Sequence, residues 1–372
     1  MAPDLPARAD VVVIGGGVMG ASTLSYLTEL GCNDALLLER KTLGSGSTSK
    51  AAGGIRAQFS DELNIRIALE NIARFERFDE EHEASIEYKQ WGYLFMLTQP
   101  EEKAMFAQSL TLQQSLGVPS RAVTPDEVAE IVPGLIVDDL LGGTFCPVDG
   151  YATPEAVVQG YAQSAAQRGA TICQGATVQS IRVEGGSVQA VHTERGTVAT
   201  DTVVLCAGVW APEVAATAGL DVPVTAERRH IWFTAPGDDL KHELPLTIDF
   251  TSGFYFHREG NGLLFGGREP TIEELAPVAA ARIPSLVELE IRGGWSGLYE
   301  MSPDHNAIVG RLGEPEGLFG AAGFSGHGFQ QGPVVGEHLA QLALGLEPSF
   351  DLSPFSLARF SDGNVRAELN VV

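Results

Sequence analysis

The sequence predicts an α/β protein in which a Rossmann-like dinucleotide-binding domain is interleaved with a mixed-sheet α+β domain. Three observations carry this expectation. A glycine-rich turn joins a β-branched strand to a helix near the start of the chain. Strand-turn-helix patterns occur at both ends. The stretches between them alternate like antiparallel sheet. A length of 372 residues favours two domains.

Asp10-Val-Val-Val-Ile14 suits a buried parallel strand. It runs into Gly15-Gly-Gly-Val-Met-Gly20 and a helix, Ala21 to Leu30, stopped by Gly31. Ala35 to Glu39 reads as the next strand, completing a β-α-β unit of about thirty residues. Thr42 to Gly54 is a loop by composition, Asp61 to Phe78 an amphipathic helix, Ser85 to Thr98 strand-like and Pro100 to Leu116 helical. Thr124-Pro-Asp-Glu127 is a capping box, and Thr153-Pro-Glu-Ala156 repeats the signal before a helix from Pro154 to Arg168. Ala170 to Cys173 is a strand. Val178 to Val183, Val188 to Thr193 and Gly196 to Thr200 form a ribbon, and Thr202 to Gly208 is another buried strand. Arg228 to Gly267 alternates as an antiparallel sheet. Gly317 to Gly323 is a strand, followed by a glycine-rich turn and a helix from Pro333 to Leu344. The expected division is 1–84, 149–226 and 295–372 for the nucleotide domain, and 85–148 and 227–294 for the other.

A formal charge of −24 makes a surface that repels nucleic acid and anionic membranes; solubility accounts for it, and no partner follows from it. Cys32, Cys146, Cys173 and Cys206 form no CxxC pair, so free, mostly buried thiols in a reducing compartment are expected. Met1 to Asp10 holds no apolar signal core, and no apolar run approaches the roughly 18 residues of a membrane span. The expected location is the cytoplasm. No His or Cys cluster has metal spacing, so no metal is expected, and no Gly-x-Ser-x-Gly elbow supports hydrolase chemistry.

In Gly15-x-Gly17-x-x-Gly20 the first glycine makes the tight turn, the second lets backbone approach a pyrophosphate, and the third permits close helix packing. Val18 and Met19 in this turn are expected at the cofactor, and the N-terminus of the helix that follows favours an anion. Glu39, with Arg40 beside it, ends the next strand, where a carboxylate accepts ribose hydroxyls. A second glycine-rich turn, Gly323-Phe-Ser-Gly326-His327-Gly328-Phe329-Gln330, precedes another helix. Its amides suit a flavin edge where negative charge grows on reduction. Ala207-Gly208 with Trp210 is a third close approach. Three approaches spread along the chain suit a long cofactor such as FAD.

Gly15 to Gly20, Ala52-Gly53-Gly54-Ile55-Arg56, Cys206 to Trp210, Tyr299-x-x-Ser302-Pro-Asp304 and Gly323 to Phe329 together resemble the D-amino-acid oxidase superfamily, within it the sarcosine oxidase, dimethylglycine oxidase and L-proline dehydrogenase β-subunit branch. The resemblance implies an FAD-binding domain and a substrate domain. It implies that Glu39 binds the adenosine ribose, and that Ser47, Thr48, Ser49, Ala52, Gly53, Gly54 and Ile55 line the pyrophosphate and flavin. Val178 touches the adenine side through its backbone, and Gly326 to Gln330 lie along the flavin. The chain departs from the sarcosine oxidase pattern. Gly297 replaces the cysteine that attaches FAD, so non-covalent FAD is expected. Gln330 replaces a carboxylate-binding lysine, and Leu264 is the nearest match to a lysine over the flavin.

The expected reaction is oxidation of a secondary or N-methylated amino acid to an imine by hydride transfer to flavin N5, with electrons passing to oxygen or another acceptor. An electron-transferring dehydrogenase subunit with a protein partner, or a flavin-carrying assembly factor, stands as the alternative. Arg56 either pairs with a substrate carboxylate or holds the loop and flavin. Tyr255 either binds that carboxylate or is a core tyrosine, and Arg268 either faces the pocket or lies on the surface. Gln330 joins them as a substrate-site candidate. His327 is expected at the flavin through its backbone, since a neutral amine loses hydride without a base.

Overall fold

The computed structural model describes residues 4–237 and 243–371. Parts of two expectations, the Met1 to Asp10 stretch and the sheet from Arg228 to Gly267, fall on residues outside that range.

Val11–Ile14 is buried along its whole length because it lies mid-sheet. It pairs in parallel with Ala35–Glu39 on one side and Val203–Leu205 on the other. Thr171–Gln174 extends the six-stranded sheet beyond the first, and Leu318–Ala322 and the antiparallel Ile308–Arg311 extend it beyond the second. Helices Val18–Glu29, Pro154–Gln167 and Gly328–Ala343 contribute to the core on one face, and the ribbon Val178–Glu184, Ser187–Thr193 and Gly196–Ala199 covers the other. Both faces are thus dry, as parallel strands require. The first and last helices meet closely, for a Cβ on Gly336 would lie 2.3 Å from Ser22 Oγ.

The second sheet has eight strands in the order Ile291–Met301, Thr225–Thr234, Gly262–Gly267, Tyr255–Glu259, Leu246–Asp249, Tyr93–Leu97, Gly142–Cys146 and Arg121–Val123. Only Leu246–Asp249 and Tyr93–Leu97 run parallel in it. Helices Pro125–Ile131 and Ile272–Arg282 pack on one face through Val128, Leu275 and Ala279.

Several elements depart from expectation. The strand expected from Ser85 is confined to Tyr93–Leu97. The helix expected from Asp61 to Phe78 runs Glu62–His82, with the Asp61 carboxylate capping Leu63 and Asn64 amides. Thr153 precedes its helix without a side-chain cap bond, whereas Thr124 and Glu127 form the full box. The last helix begins at Gly328, not Pro333, and takes the proline inside. Proline interrupts the ladder there, and the neighbouring Val334 N–H is satisfied by Asn71 Oδ1 at 2.9 Å. Strand Ile291–Met301 has no counterpart among the expected elements and crosses the expected boundary at 294. Its Gly293 and Gly294 mask the pattern, and both are needed: a Cβ would lie 2.9 Å from the Phe233 ring and 2.6 Å from Ile231 O.

The four cysteines are free and buried. No helix among the described residues is long and apolar enough to cross a membrane.

The segment after the last helix returns across the fold. Arg359 grips Asp304 in two parallel bonds, Nε to Oδ2 and Nη2 to Oδ1, each 2.8 Å, with side chains only 3% and 0% exposed. Further on, the Glu368 carboxylate accepts from the Ser60 amide and hydroxyl, Asp61 N and Asn64 Nδ2. Asp304→Asn strands the Arg359 charge, and its expected cost is about 3–5 kcal/mol. A urea titration at neutral pH reads this as a lowered midpoint; an unchanged midpoint contradicts it.

Candidate active site

The glycine turn has the conformation its sequence demands. Gly15 adopts φ +108°, and a Cβ there would lie 2.3 Å from Cys206 O. A Cβ on Gly20 would lie 1.8 Å from Gly15 O. Gly17 faces Thr48, whose hydroxyl accepts the Val18 N–H at 3.1 Å. Glu39 accepts Gly16 N at 2.8 Å and Lys41 N at 2.7 Å, which aims its carboxylate. The Arg40 guanidinium lies 3.6 Å above the Trp210 ring.

These groups open onto a cavity of about 430 Å³. Its walls include Gly15, Gly17, Val18, Met19, Glu39, Arg40, Ser47, Thr48, Ala52 and Val178, and at the other end Ala207, Gly208, Trp210, Gly297, Gly326, Gly328 and Phe329. Two helix N-termini, at Val18 and Gly328, therefore face one cavity. Gly20, Ser49, Ile55 and Gly323 do not line it. Gly20 is spent on packing, Ser49 N bonds Gly44 O, Ile55 is core, and Gly323 N donates to Glu300. Glu300, also on the wall, is pushed up to about 7 by burial against the pull of the Gly323 and Phe324 amides.

A second cavity of about 100 Å³ adjoins the first, sharing Ala51, Ala52, Arg229, Tyr255, Tyr299, Gly326 and Phe329 with it. It brings together Arg56, Tyr255, Arg268 and Gln330, along with Gly53, Gly54 and His327. Tyr255 lies flat across Gly266, where a Cβ would sit 2.4 Å from its hydroxyl. Burial holds the phenols of Tyr255, Tyr93 and Tyr299 protonated. His327 is driven well below the ordinary histidine range by burial and then by Arg56, so its ring is neutral.

Arg56 is 6% exposed. Its guanidinium donates to Gln58 O and to Asn370 O and lies 3.2 Å from His327 Nε2, while its amide donates to Gln330 Oε1 at 2.6 Å. Arg268 is exposed, bonded to Thr251 O and Phe250 O at the cavity mouth. Leu264 is buried and lines neither cavity. The sequence reading missed Arg229, Tyr93 and Tyr299. Arg229 had a signal: it shares a strand face with Ile231 at period two, a charge where an apolar residue is expected.

A family model described as FAD dependent oxidoreductase matches residues 10–342. The chain belongs to this family. The crystal structure of L-proline dehydrogenase from P. horikoshii superposes with a TM-score of 0.91 at 32% identity, covering 97% of this chain and 100% of that one. Glycine oxidase from Geobacillus kaustophilus gives a TM-score of 0.86 at 28% identity, over 95% and 99%. The 4-methylaminobutanoate oxidase (formaldehyde-forming) of Paenarthrobacter nicotinovorans is 30% identical over 96% of this chain and 46% of its own length. Mitochondrial sarcosine dehydrogenase of Mus musculus is 30% identical over 96% and 42%. This chain thus spans about half the length of these two curated relatives.

The cavity fits FAD. Backbone gives way at Gly15 and Gly17, two helix N-termini face it, and Glu39 is aimed from its wall. The Glu39→Ala protein is expected to bind FAD about tenfold to a hundredfold more weakly, the worth of one or two charged hydrogen bonds. Flavin fluorescence titration of the apoprotein reads this.

Asp149 lies beneath the Arg56 loop, accepting Ala57 N at 2.9 Å and Gln58 Nε2 at 3.2 Å. Burial pushes it up to about 7, against the pull of Ala57, Cys146, Gln58 and Arg56. The native state then keeps a proton that the unfolded chain releases near 3.8. This contribution to stability is complete below about pH 4 and lost as pH rises through about 7. Denaturant midpoints between these limits should fall less steeply with pH in Asp149→Asn than in the parent.

Proposed function

We propose that this chain oxidises a small amino acid at the carbon bearing its amine nitrogen, a secondary or N-methylated one such as a proline- or sarcosine-like substrate. The observation that carries the reading is the second cavity. It is the size class of a small amino acid, it opens directly onto the FAD cavity, and its lining holds three arginines and no carboxylate in a chain of net charge −24. Such a local field favours an anionic ligand.

Bound FAD supplies a two-electron hydride acceptor, so the amine becomes an imine that water hydrolyses. The chain's own residues bind and orient. Tyr255 and Tyr299 offer neutral hydroxyl donors at the boundary of the two cavities. Leu246, Ile248 and Phe329 form an apolar wall that excludes water. Neutral His327, fixed against Arg56, positions the turn instead of removing a proton. At Gly297 there is no side chain for a covalent link, which supports non-covalent FAD. Solution in the cytoplasm and electron delivery to oxygen or a protein acceptor belong to the same proposal.

Anaerobic addition of sarcosine, other N-methyl amino acids, proline and glycine to the flavin-loaded protein tests it. At least one is expected to remove the yellow absorbance. Peroxide on readmitting air identifies oxygen as acceptor, and persistent bleaching identifies another. No bleaching by any amine leaves the reading without support and favours a flavin-carrying assembly factor.

A further inference from the structure

The second cavity holds three arginines, and the structure separates them. Arg56 is committed to Gln58 O, Asn370 O and His327. Arg268 is exposed at the mouth, where solvent weakens any ion pair. Arg229 differs from both. Its side chain is 19% exposed, and it lines the FAD cavity and the second cavity together. Among the described residues its one hydrogen-bond partner is the Glu227 carboxylate, reached through Nη1.

The sheet explains its position. Arg229 pairs with Gly297 on the neighbouring strand, and Glu227 pairs with Tyr299. Residues directly opposite share a face, so Glu227, Arg229, Gly297 and Tyr299 stand together on one face, of which Arg229, Gly297 and Tyr299 line the FAD cavity. Gly297 lets the Lys50 stem pack against this strand, where a Cβ would lie 2.6 Å from Lys50 Cβ. Tyr299 lies under it, 5.4 Å from guanidinium carbon to ring centroid. Tyr255 stands across the sheet row formed by Ile231 and Gly266. The Arg229 charge acts on both phenols, against the upward push of burial.

We infer that Arg229 anchors the substrate carboxylate at the junction of the two cavities, with Tyr255 and Tyr299 as flanking hydroxyl donors and Glu227 steering the guanidinium from outside. This rests on the amino-acid reading above and deepens it: the site selects amino acids over the corresponding amines without a carboxylate. Glu227 is 46% exposed and lines neither cavity, so it orients Arg229 while water screens its charge from the pocket. Arginine suits the role because its planar fork matches a carboxylate in two parallel bonds.

Binding without turnover tests this apart from the oxidation reaction. Flavin-loaded parent, Arg229→Gln, Arg229→Lys and Arg268→Gln proteins are titrated with pyrrole-2-carboxylate and with pyrrole-2-carboxamide, following the shift of the visible flavin band. The parent is expected to prefer the acid. Arg229→Gln is expected to lose that preference, with acid affinity down on the order of 100-fold and amide affinity little changed. Arg229→Lys is expected between them, keeping charge but not the fork, and it serves if the glutamine variant fails to fold or to hold FAD. Arg268→Gln is expected to retain the preference. A parent indifferent to the charge, Arg229 variants with an unchanged acid-to-amide ratio, or loss of the ratio in Arg268→Gln alone each overturns the assignment. Should no amine bleach the flavin, the oxidase reading fails while this comparison still reports on Arg229.

Discussion

The site depends on backbone meeting backbone. Gly15 sits against Cys206 and Gly20 against Gly15 so closely that no Cβ fits at either place. That contact brings the first helix down onto the sheet and directs its N-terminus at the large cavity. A missing Cβ also admits side chains, Lys50 against Gly297 in the wall and Tyr255 against Gly266. The cavity is therefore defined by missing side chains as much as by present ones, and its shape is rigid where it must grip a long ligand.

Polar groups hold what glycine opens. Arg56 draws together its own loop, the turn at His327 and Gln330, and the returning segment at Asn370. Glu368 and the Arg359–Asp304 pair fix that segment from the other side. In a low-dielectric interior each of these bonds is costly to leave unmade, so the loop that borders both cavities has one arrangement. A charged group fully engaged in this way is architecture first, which separates Arg56 from Arg229 although both line the second cavity.

Much of this was legible in the sequence, for identifiable reasons. Local rules located the glycine turn, Glu39, the Thr124 box and the last glycine turn, because each is specified by residues within a few positions of one another. The mixed sheet was read only in part. Ile291–Met301 carries glycines that suppress strand propensity, and their purpose is to admit Phe233, Trp232 and Lys50, neighbours set by tertiary structure. Pro333 disguised the start of the last helix, where the Val334 amide turns to Asn71. Arg56 and Gln330 were named from the sequence and line the second cavity, but the bonds that engage Arg56 run to Asn370 and Gln58, and no spacing reveals that. Arg229 escaped notice because its place at the junction follows from pairing with Gly297 across the sheet.

The threading of the chain between the two sheets has a consequence for biosynthesis. Val11–Ile14 waits for Val203–Leu205, and that strand waits in turn for Leu318–Ala322. A nascent polypeptide that has emerged only through its first glycine turn owns one end of the flavin cleft and none of the other. Capture of FAD must therefore follow emergence of the last glycine turn, and the high mean sequence separation of these pairings makes assembly slow. During that interval apolar strands stay unpaired, a period in which chaperones protect chains of this size from aggregation.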